Sequence, residues 1–573
     1  MSAIAPYLRR TRIAYFSMEI GMRAEIPTYS GGLGVLAGDT ARSCADLDLP
    51  MVFVTLASRA GYFRQRIDGE GRQVEEPDWW DPAAWCRPLD VRIAVPVADR
   101  QVWVRPWLYR LAADPGRAPG NGPAGAGVPV LLLDTDLDLN DEADRQITQQ
   151  LYGGDAEYRL KQEIVLGLGG LQVLHALGFD LHTYHLNEGH AALLTLGLLN
   201  RWRIAPEDRI GDCAPYDVAE VRRRCVFTTH TPVEAGHDRF SHALFERLLP
   251  GLVEPDALRS LAGADCVNMT RRALNLSGFV NGVARRHART TEGMFPGYRV
   301  HAITNGVHLG SWAHDAFARL YEAHFPDWRH EPELLVRALQ LPEDEVWRCH
   351  QAAKAEMLDL VAQRTGARLD PALPVLAFSR RMTGYKRPDL LFSDIERLRA
   401  IAGRHPFQVV MAGKAHPRDQ GGKEAIRQLH GWMHGLADAI PCAFVPGYDM
   451  AVGKALVAGA DIWLNTPVPP LEASGTSGMK AALNGVLNLS TVDGWWVEGC
   501  MEGITGWAIG EDREGGDGHA GALYDKLEQA VLPLYAGDPG RWRWMMKQAI
   551  AYTACYFNSH RMVRRYATEA YLR

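Results

Sequence analysis

No run of apolar residues in this 573-residue chain approaches the roughly 18 needed to cross a bilayer, so no membrane span is expected. The N-terminal stretch MSAIAPYLRRTRIAYFSMEIG lacks the apolar core of a secretory signal. There is no long basic block and the net charge is −6, which disfavours a nucleic-acid partner. The nine cysteines include no CxxC pair and make an odd total. That pattern argues against a disulfide scaffold or a zinc module and points to a reduced, cytoplasmic protein. The histidine pairs in HLNEGH (185–190) and TTHTPVEAGH (228–237) do not have HExxH spacing, so no metal site is expected. What remains is ordinary globular composition, 47% hydrophobic and 23% charged, in a chain long enough for more than one domain.

Two regions alternate short β-rich runs with helical patterns. In the first, RIAYFSM (12–18) leads through the glycine loop YSGGLG into a helical pattern and then MVFVTLA. QVWVRPWLYRL (101–111) and VPVLLL (128–133) also read as strands, with a flexible loop, ADPGRAPGNGPAGAG, between them. In the second, PVLAFS (374–379), FQVVMAG (407–413), CAFV (442–445), ADIWLN (460–465) and VLNLS (486–490) alternate with helices, one starting near Pro388 and one at 422–438. Such alternation argues for an α/β fold of two Rossmann-like domains facing a cleft, with ligands at the carboxyl ends of the strands. The expected division is 1–315, 316–545 and a C-terminal helix over 546–573 that packs back on the first domain. RWRWMMKQAIAYTACYFNSHRMVRRY reads as one long helix.

Four constellations carry chemistry. In EASGTSGMKAALNG (472–485), small residues precede a helix that carries Lys480. The glycine-to-lysine spacing is not that of a Walker A loop. Either this is a tight turn with a solvated lysine, or Lys480 is an amine of depressed pKa beside a phosphate-binding helix end, a pairing suited to pyridoxal phosphate. The helix dipole is worth only ~0.3–1 kcal/mol, so burial must supply most of the shift. FSRRMTGYKR (378–387) follows a strand, where Arg380, Arg381, Lys386 and Arg387 are either a solvated basic loop or a phosphate clamp. YSGGLGVLAGD (29–39) lets backbone approach an anion, or is a plain turn; GLGG (167–170) sits within a helical pattern and reads as close packing. His230 and Asn305 follow strand patterns and can reach substrate, His230 as a neutral donor; core or rim histidines are the commoner alternative.

Taken together, AYFSMEI, SGGLGVLAGD, LYGGDAEYRLKQE, HLNEGH, FTTHTPVEAGHDRF, ITNGVH, RRMTGYKR, AGKAHP and EASGTSGMKAALNG resemble the α-glucan phosphorylases in content and order, over about Arg12 to Gly510. The wording is nearest a bacterial and archaeal branch distant from the muscle-type enzyme. The resemblance implies a two-domain glycosyltransferase architecture. It also implies reversible phosphorolysis of α-1,4-glucan (glycogen, starch or maltodextrin) to α-D-glucose 1-phosphate with retention. Pyridoxal 5'-phosphate would be covalent on Lys480, its phosphate serving as proton donor and acceptor. The implied catalytic residues are Lys480, Arg381, Lys386 and His230. Thr476, Ser477, Gly478, Arg380 and Tyr448 would surround the cofactor. Gly31, Gly32, Leu33, Glu472, Ser474, Gly475, Asn305 and His230 would hold substrate. The implied partners are glucan, inorganic phosphate and glucose 1-phosphate, with no nucleic acid or membrane, and the resemblance is compatible with a homodimer.

Departures from the larger members are Gly21 in place of an aromatic, Asp449 in place of a basic residue, Pro446-Gly447, and the proline-rich PVPPL (467–471). The first motif begins near residue 12, so the muscle-type regulatory extension and its allosteric control are not expected. The competing function is a nucleotide-sugar glycosyltransferase of the glycogen synthase type, which has no use for a covalently loaded lysine. A silent glucan-binding protein would need neither Lys480 nor the Arg381 and Lys386 cations.

Overall fold

The computed structural model describes residues 3–113, 127–209, 215–233 and 236–572. The loop expected over 113–127 lies outside them except for its end residues.

Two sheets organise the chain. The first has ten strands. Runs such as Met51–Leu56 and Gly127–Asp134 are buried at every position, so both faces must be covered by helices. Across the sheet run His301–Ala302, Phe279–Gly282, Cys225–Thr228, Thr183–Asn187, Ile13–Ser17, Met51–Leu56 and Gly127–Asp134, all parallel. Arg100–Ala112 then adds antiparallel and pairs with Ile93–Val97 and Arg87–Pro88. The sheet is therefore mixed at one edge rather than parallel throughout. The tight turn joining Val97 to Arg100, which face each other across their pair, makes those two strands antiparallel, because so short a connection allows nothing else.

The second sheet has six strands, all parallel. Their order is Cys442–Val445, Gln408–Ala412, Val375–Ser379, Ile462–Asn465, Leu487–Thr491 and Gly506–Ile509. Within the parallel part of each sheet the strand order reverses beside Ile13–Ser17 in the first and beside Val375–Ser379 in the second. Crevices open at the carboxyl ends of strands at such points.

A large apolar core runs from Val307 to Phe557 around the second sheet. One face of the first sheet packs on the helix Gly32–Asp46 together with Met562, Val563, Tyr566 and Ala570 from the end of the chain. The stretch expected to be one C-terminal helix is interrupted. Pro539–Ala549 continues into the wider turn Ile550–Ala554, and a new helix starts at Ser559. Asn558 is extended, bridges to Val307, and accepts the Arg561 N–H at 2.7 Å; this N-cap overrides the continuous helical pattern. The helix expected near Pro388 likewise begins later, at Ile395, where Asp394 caps the Arg397 N–H. GLGG is packed closely, as its composition implies: a Cβ on Gly170 would lie 2.7 Å from Phe16.

Loops of the first sheet touch the second. Gln65 donates to Gly413 O at 2.8 Å and Lys414 to Phe63 O at 2.8 Å. Tyr29 Oη accepts the Met450 N–H at 3.1 Å. Among the described residues no helix is long and apolar enough to cross a membrane.

Candidate active site

Lys480 lies in the short helix Ser477–Leu483, which begins just after Gly475, whose φ of +70° favours glycine. It is 7% exposed, and its Nζ sits 3.6 Å from the ring centroid of Trp312. The Trp312 indole N–H donates to Asp39 Oδ1 and Oδ2 at 3.0 and 2.9 Å, which fixes the ring. Burial lowers the Lys480 pKa to about 8; Asp39 opposes that shift and Arg42 reinforces it. Burial thus dominates, as the weak dipole argument requires. Beside the amine is a cavity of about 210 Å³ lined by Val35, Asp39, Arg42, Trp312, Met450 and Lys454.

The cations after Val375–Ser379 divide into three groups. Arg380 Nη2 donates to Glu472 Oε2 at 2.7 Å, and Lys386 Nζ reaches the same oxygen. Burial disfavours the Glu472 charge, but Arg380 and Lys386 outweigh it and hold the carboxyl below its ordinary range. Arg380 Nη1 is buried and without a partner. Arg381 turns the other way, with Nη2 3.4 Å from Ser30 Oγ on the glycine loop, and makes no ion pair among the described residues. Arg387, expected as a fourth clamp residue, is instead engaged with the Thr466 and Pro467 carbonyls and His519.

Across from Arg381, the 15-residue helix Gly32–Asp46 starts behind Gly31 with no side-chain cap, leaving N–H groups of Gly32 and Leu33 uncapped. A Cβ on Gly31 would stand 3.3 Å from Arg381 Nη2, while Gly32 faces open space. His230 donates its backbone N–H to Glu188 Oε2 at 2.7 Å, and its Nε2 pairs with Asn187 Oδ1 at 2.6 Å. Because Asn187 Nδ2 donates to Ser17, His230 Nε2 is the donor of that pair, and Nδ1 is left as an acceptor rather than the donor expected from the sequence. Burial lowers the His230 pKa to about 3, so the ring is neutral. Asn305 Oδ1 is buried and unpartnered.

The small-residue motif is used in two ways. A Cβ on Gly475 would approach Glu472 and Arg380 at 3.5 and 3.6 Å, and Ser474 Oγ donates to Gly475 O at 3.1 Å. Thr476 precedes the Lys480 helix with no side-chain cap. Ser477 Oγ accepts the Trp463 indole at 3.0 Å, and a Cβ on Gly478 would stand 2.3 Å from Asn488 Oδ1. These last two side-chain positions face the packing of the second sheet. Tyr448 packs over Gly453. Asp449, at the expected basic position, caps the helix Met450–Gly459 through the Val452 N–H at 2.8 Å. A Cβ on Gly21 would meet Met450 Sδ at 3.2 Å and Val35 Cα at 3.3 Å, so an aromatic has no room there.

Several residues were not singled out in advance. Trp312, Asp39, Glu19 and Glu188 all lie in or beside quoted motifs. Glu188, at φ +72°, accepts from Gly189 N and Thr231 Oγ1 as well as His230 N. Asp493 accepts the Glu472 N–H at 2.8 Å, and burial pushes its pKa up to about 7. His185 is a core residue held between Tyr571 and Thr228 at 2.6 and 2.8 Å. Among the described residues no cluster of three or more His, Cys, Asp or Glu side chains could hold a metal.

Fold and site together define an α/β protein with two mainly parallel sheets, a cationic loop, a glycine loop and a buried amine. The chain belongs to the carbohydrate phosphorylase family, whose model matches residues 257–504. It is 37% identical to the maltodextrin phosphorylase of Thermococcus litoralis, over 98% of this chain and 70% of that protein. It is 36% identical to the glycogen phosphorylase of Mycobacterium tuberculosis strain H37Rv, over all of this chain and 72% of that protein. It is 33% identical to that of Aquifex aeolicus, over 98% and 86%.

Proposed function

We propose that the protein is an α-glucan phosphorylase. It would cleave α-1,4-glucan (glycogen, starch or maltodextrin) with inorganic phosphate, reversibly, to α-D-glucose 1-phosphate with retention, in the cleft of a two-domain glycosyltransferase architecture. The observation that carries this reading is the buried Lys480 amine lying beside Trp312 and a cationic cavity. A nucleotide-sugar transferase has no use for it.

The residues fit pyridoxal phosphate. The amine is buried, Arg42 and Lys454 line the adjoining cavity, and Arg380 Nη1 is buried with no partner. Lys480 would hold the cofactor covalently; Arg380, Thr476 and Tyr448 would border it. Bound, the cofactor supplies a phosphate monoester whose second pKa near ~6 lets it give or take a proton near neutral pH.

The chain's own groups account for the rest. Arg381 and the uncapped N–H groups of Gly32 and Leu33 hold inorganic phosphate. Lys386 adds charge from beside Glu472, which with Asn305 Oδ1 and His230 Nδ1 accepts sugar hydroxyls. Ser474 and Gly475 shape the wall behind them. Phosphate held on the face that the leaving glucan vacates gives retention, and no pair of catalytic carboxylates is needed.

The division into 1–315, 316–545 and a returning C-terminal segment draws support from the apolar core that begins at Val307 and from Met562 and Tyr566 packing on the first sheet. The eight described cysteines are all free, which supports a reducing, cytoplasmic setting. The test is phosphate-dependent release of glucose 1-phosphate from maltodextrin. Lys480→Ala should abolish it together with cofactor retention, and an active, cofactor-free variant would refute the assignment.

A further inference from the structure

Glu19 ends the first strand's carboxyl-terminal turn at the reversal point of the first sheet. It is 1% exposed and makes no ion pair among the described residues. A buried carboxylate without a cation is costly unless hydrogen bonds replace its water. Four do so here. Oε2 accepts the N–H groups of Ser30 and Gly31 at 2.5 and 3.3 Å, and Oε1 accepts Ser30 Oγ and Tyr152 Oη at 3.2 and 2.9 Å. The strand end is itself tied down, since Ser17 Oγ donates to Glu19 O at 2.7 Å and receives Asn187 Nδ2 at 2.9 Å. Tyr152 has a φ of +58° and the Arg159 guanidinium over its ring at 4.3 Å.

The consequence falls on the glycine loop. Glu19 consumes the last two N–H groups before the helix Gly32–Asp46 and draws them inward. The first N–H groups of the helix are left facing outward on the side where Arg381 Nη2 approaches Ser30 Oγ and Gly31. A Cβ on Gly34 would stand 2.6 Å from Glu19 Oε2, so helix and carboxylate fit only with glycine there. Remove the carboxylate and the loop is free to turn two donors outward or inward, and the convergence of backbone N–H groups with Arg381 is lost.

We propose that Glu19, braced by Tyr152, is a positioning residue for inorganic phosphate: it fixes the glycine loop so that backbone N–H groups and Arg381 meet on one anion. The proposal rests on the phosphorylase reading for what the anion is.

The test compares Glu19→Ala, Glu19→Gln and Tyr152→Phe with the parent enzyme. It reads KM for phosphate, KM for maltodextrin, kcat, bound cofactor per chain, and inorganic phosphate binding without glucan by calorimetry. In Glu19→Ala, phosphate KM should rise about tenfold or more, the scale of losing pre-set donors, with maltodextrin KM and cofactor content unchanged. Glu19→Gln, which keeps an acceptor oxygen, should fall between, and Tyr152→Phe should raise phosphate KM by about threefold as one bond of four. A merely structural role would lower thermal stability and kcat while leaving phosphate KM alone. Phosphate KM within about twofold of the parent in a folded Glu19→Ala overturns the proposal. Should that variant not fold, Tyr152→Phe and Glu19→Gln decide on the same reading. If the parent shows no phosphate-dependent turnover, the functional reading fails, and calorimetry with inorganic phosphate still judges Glu19 by whether its variants lose the binding.

Discussion

On the proposed function, burial sets the pH at which Lys480 takes up pyridoxal phosphate. Its pKa is lowered from 10.5 to about 8, a shift worth about 3 kcal/mol against the charged form. At a pKa of 8, about 9% of the amine is uncharged at pH 7 and about 91% at pH 9, whereas an ordinary lysine goes from well under about 0.1% to about 4%. Only the uncharged amine attacks an aldehyde. Covalent loading of cofactor-free protein with pyridoxal phosphate should therefore speed up about tenfold between pH 7 and pH 9, against about a hundredfold for Nα-acetyl-lysine measured in parallel. The reference amine cancels the ionisations of the aldehyde itself. Loading is followed by quenching with borohydride and mass spectrometry of the Lys480 peptide. A rise parallel to that of the reference amine would show a solvated, ordinary lysine and would sink the burial argument.

Three further outcomes follow from packing and charge. Gly170→Ala drives a methyl group to 2.7 Å from Phe16 Cε1 and 2.9 Å from Val54, so urea unfolding should show a loss of about 1–3 kcal/mol; unchanged stability would mean the helix can back away. Asp493 has a folded pKa of about 7, above its unfolded value near ~3.9. Its proton stabilises the fold fully below the unfolded pKa, and that contribution is lost as pH rises to about 7, with a slope of about 1.4 kcal/mol per unit. Asp493→Asn should gain on the parent across that window and then run level, and parallel stability curves from pH 5 to 7 would contradict it. Lys354 pairs with Asp461 Oδ2 at 2.8 Å, both about 1% exposed, while His350 holds Oδ1 at 2.9 Å. Lys354→Met leaves that carboxylate without its cation, held only by His350 and by the Val375 N–H, which donates to Oδ2 at 2.8 Å, and should cost about 3–5 kcal/mol; a denaturation midpoint shift worth under ~1 kcal/mol would show that those two hydrogen bonds suffice.

The α/β alternation was legible because buried parallel strands are short, β-branched and bounded by turns, as in Val375–Ser379 and Gln408–Ala412. The antiparallel edge was harder to read. Arg100–Ala112 was recognisable as a strand, but its direction shows only in its pairing with Gly127–Asp134, not in its own residues. The break at Asn558 escaped because the apolar periodicity continues across it, and only the bridge to Val307 makes the cap worthwhile. In the site, Lys480, Arg381 and Asn305 stood out because they follow strand or turn signals. Trp312, Asp39 and Glu19 lay in or beside quoted motifs yet act through contacts between distant segments. Nothing local to Asp493 foretold its raised pKa, which comes from burial beneath Glu472.

The division of labour among the cations follows from where each carboxylate sits. Among the described residues Arg42 lies against Asp39, and Arg380 and Lys386 lie against Glu472, so each of these two buried carboxylates has a cation. Glu19 is satisfied by neutral donors, so it spends no cation and leaves Arg381 unpaired. Had Arg381 bonded Glu19 directly, an incoming anion would first have to break a buried ion pair, at a cost of several kcal/mol. Placing the Ser30 hydroxyl between them, 3.2 Å from the carboxylate and 3.4 Å from the guanidinium, keeps the charge available while still fixing the loop that must share it.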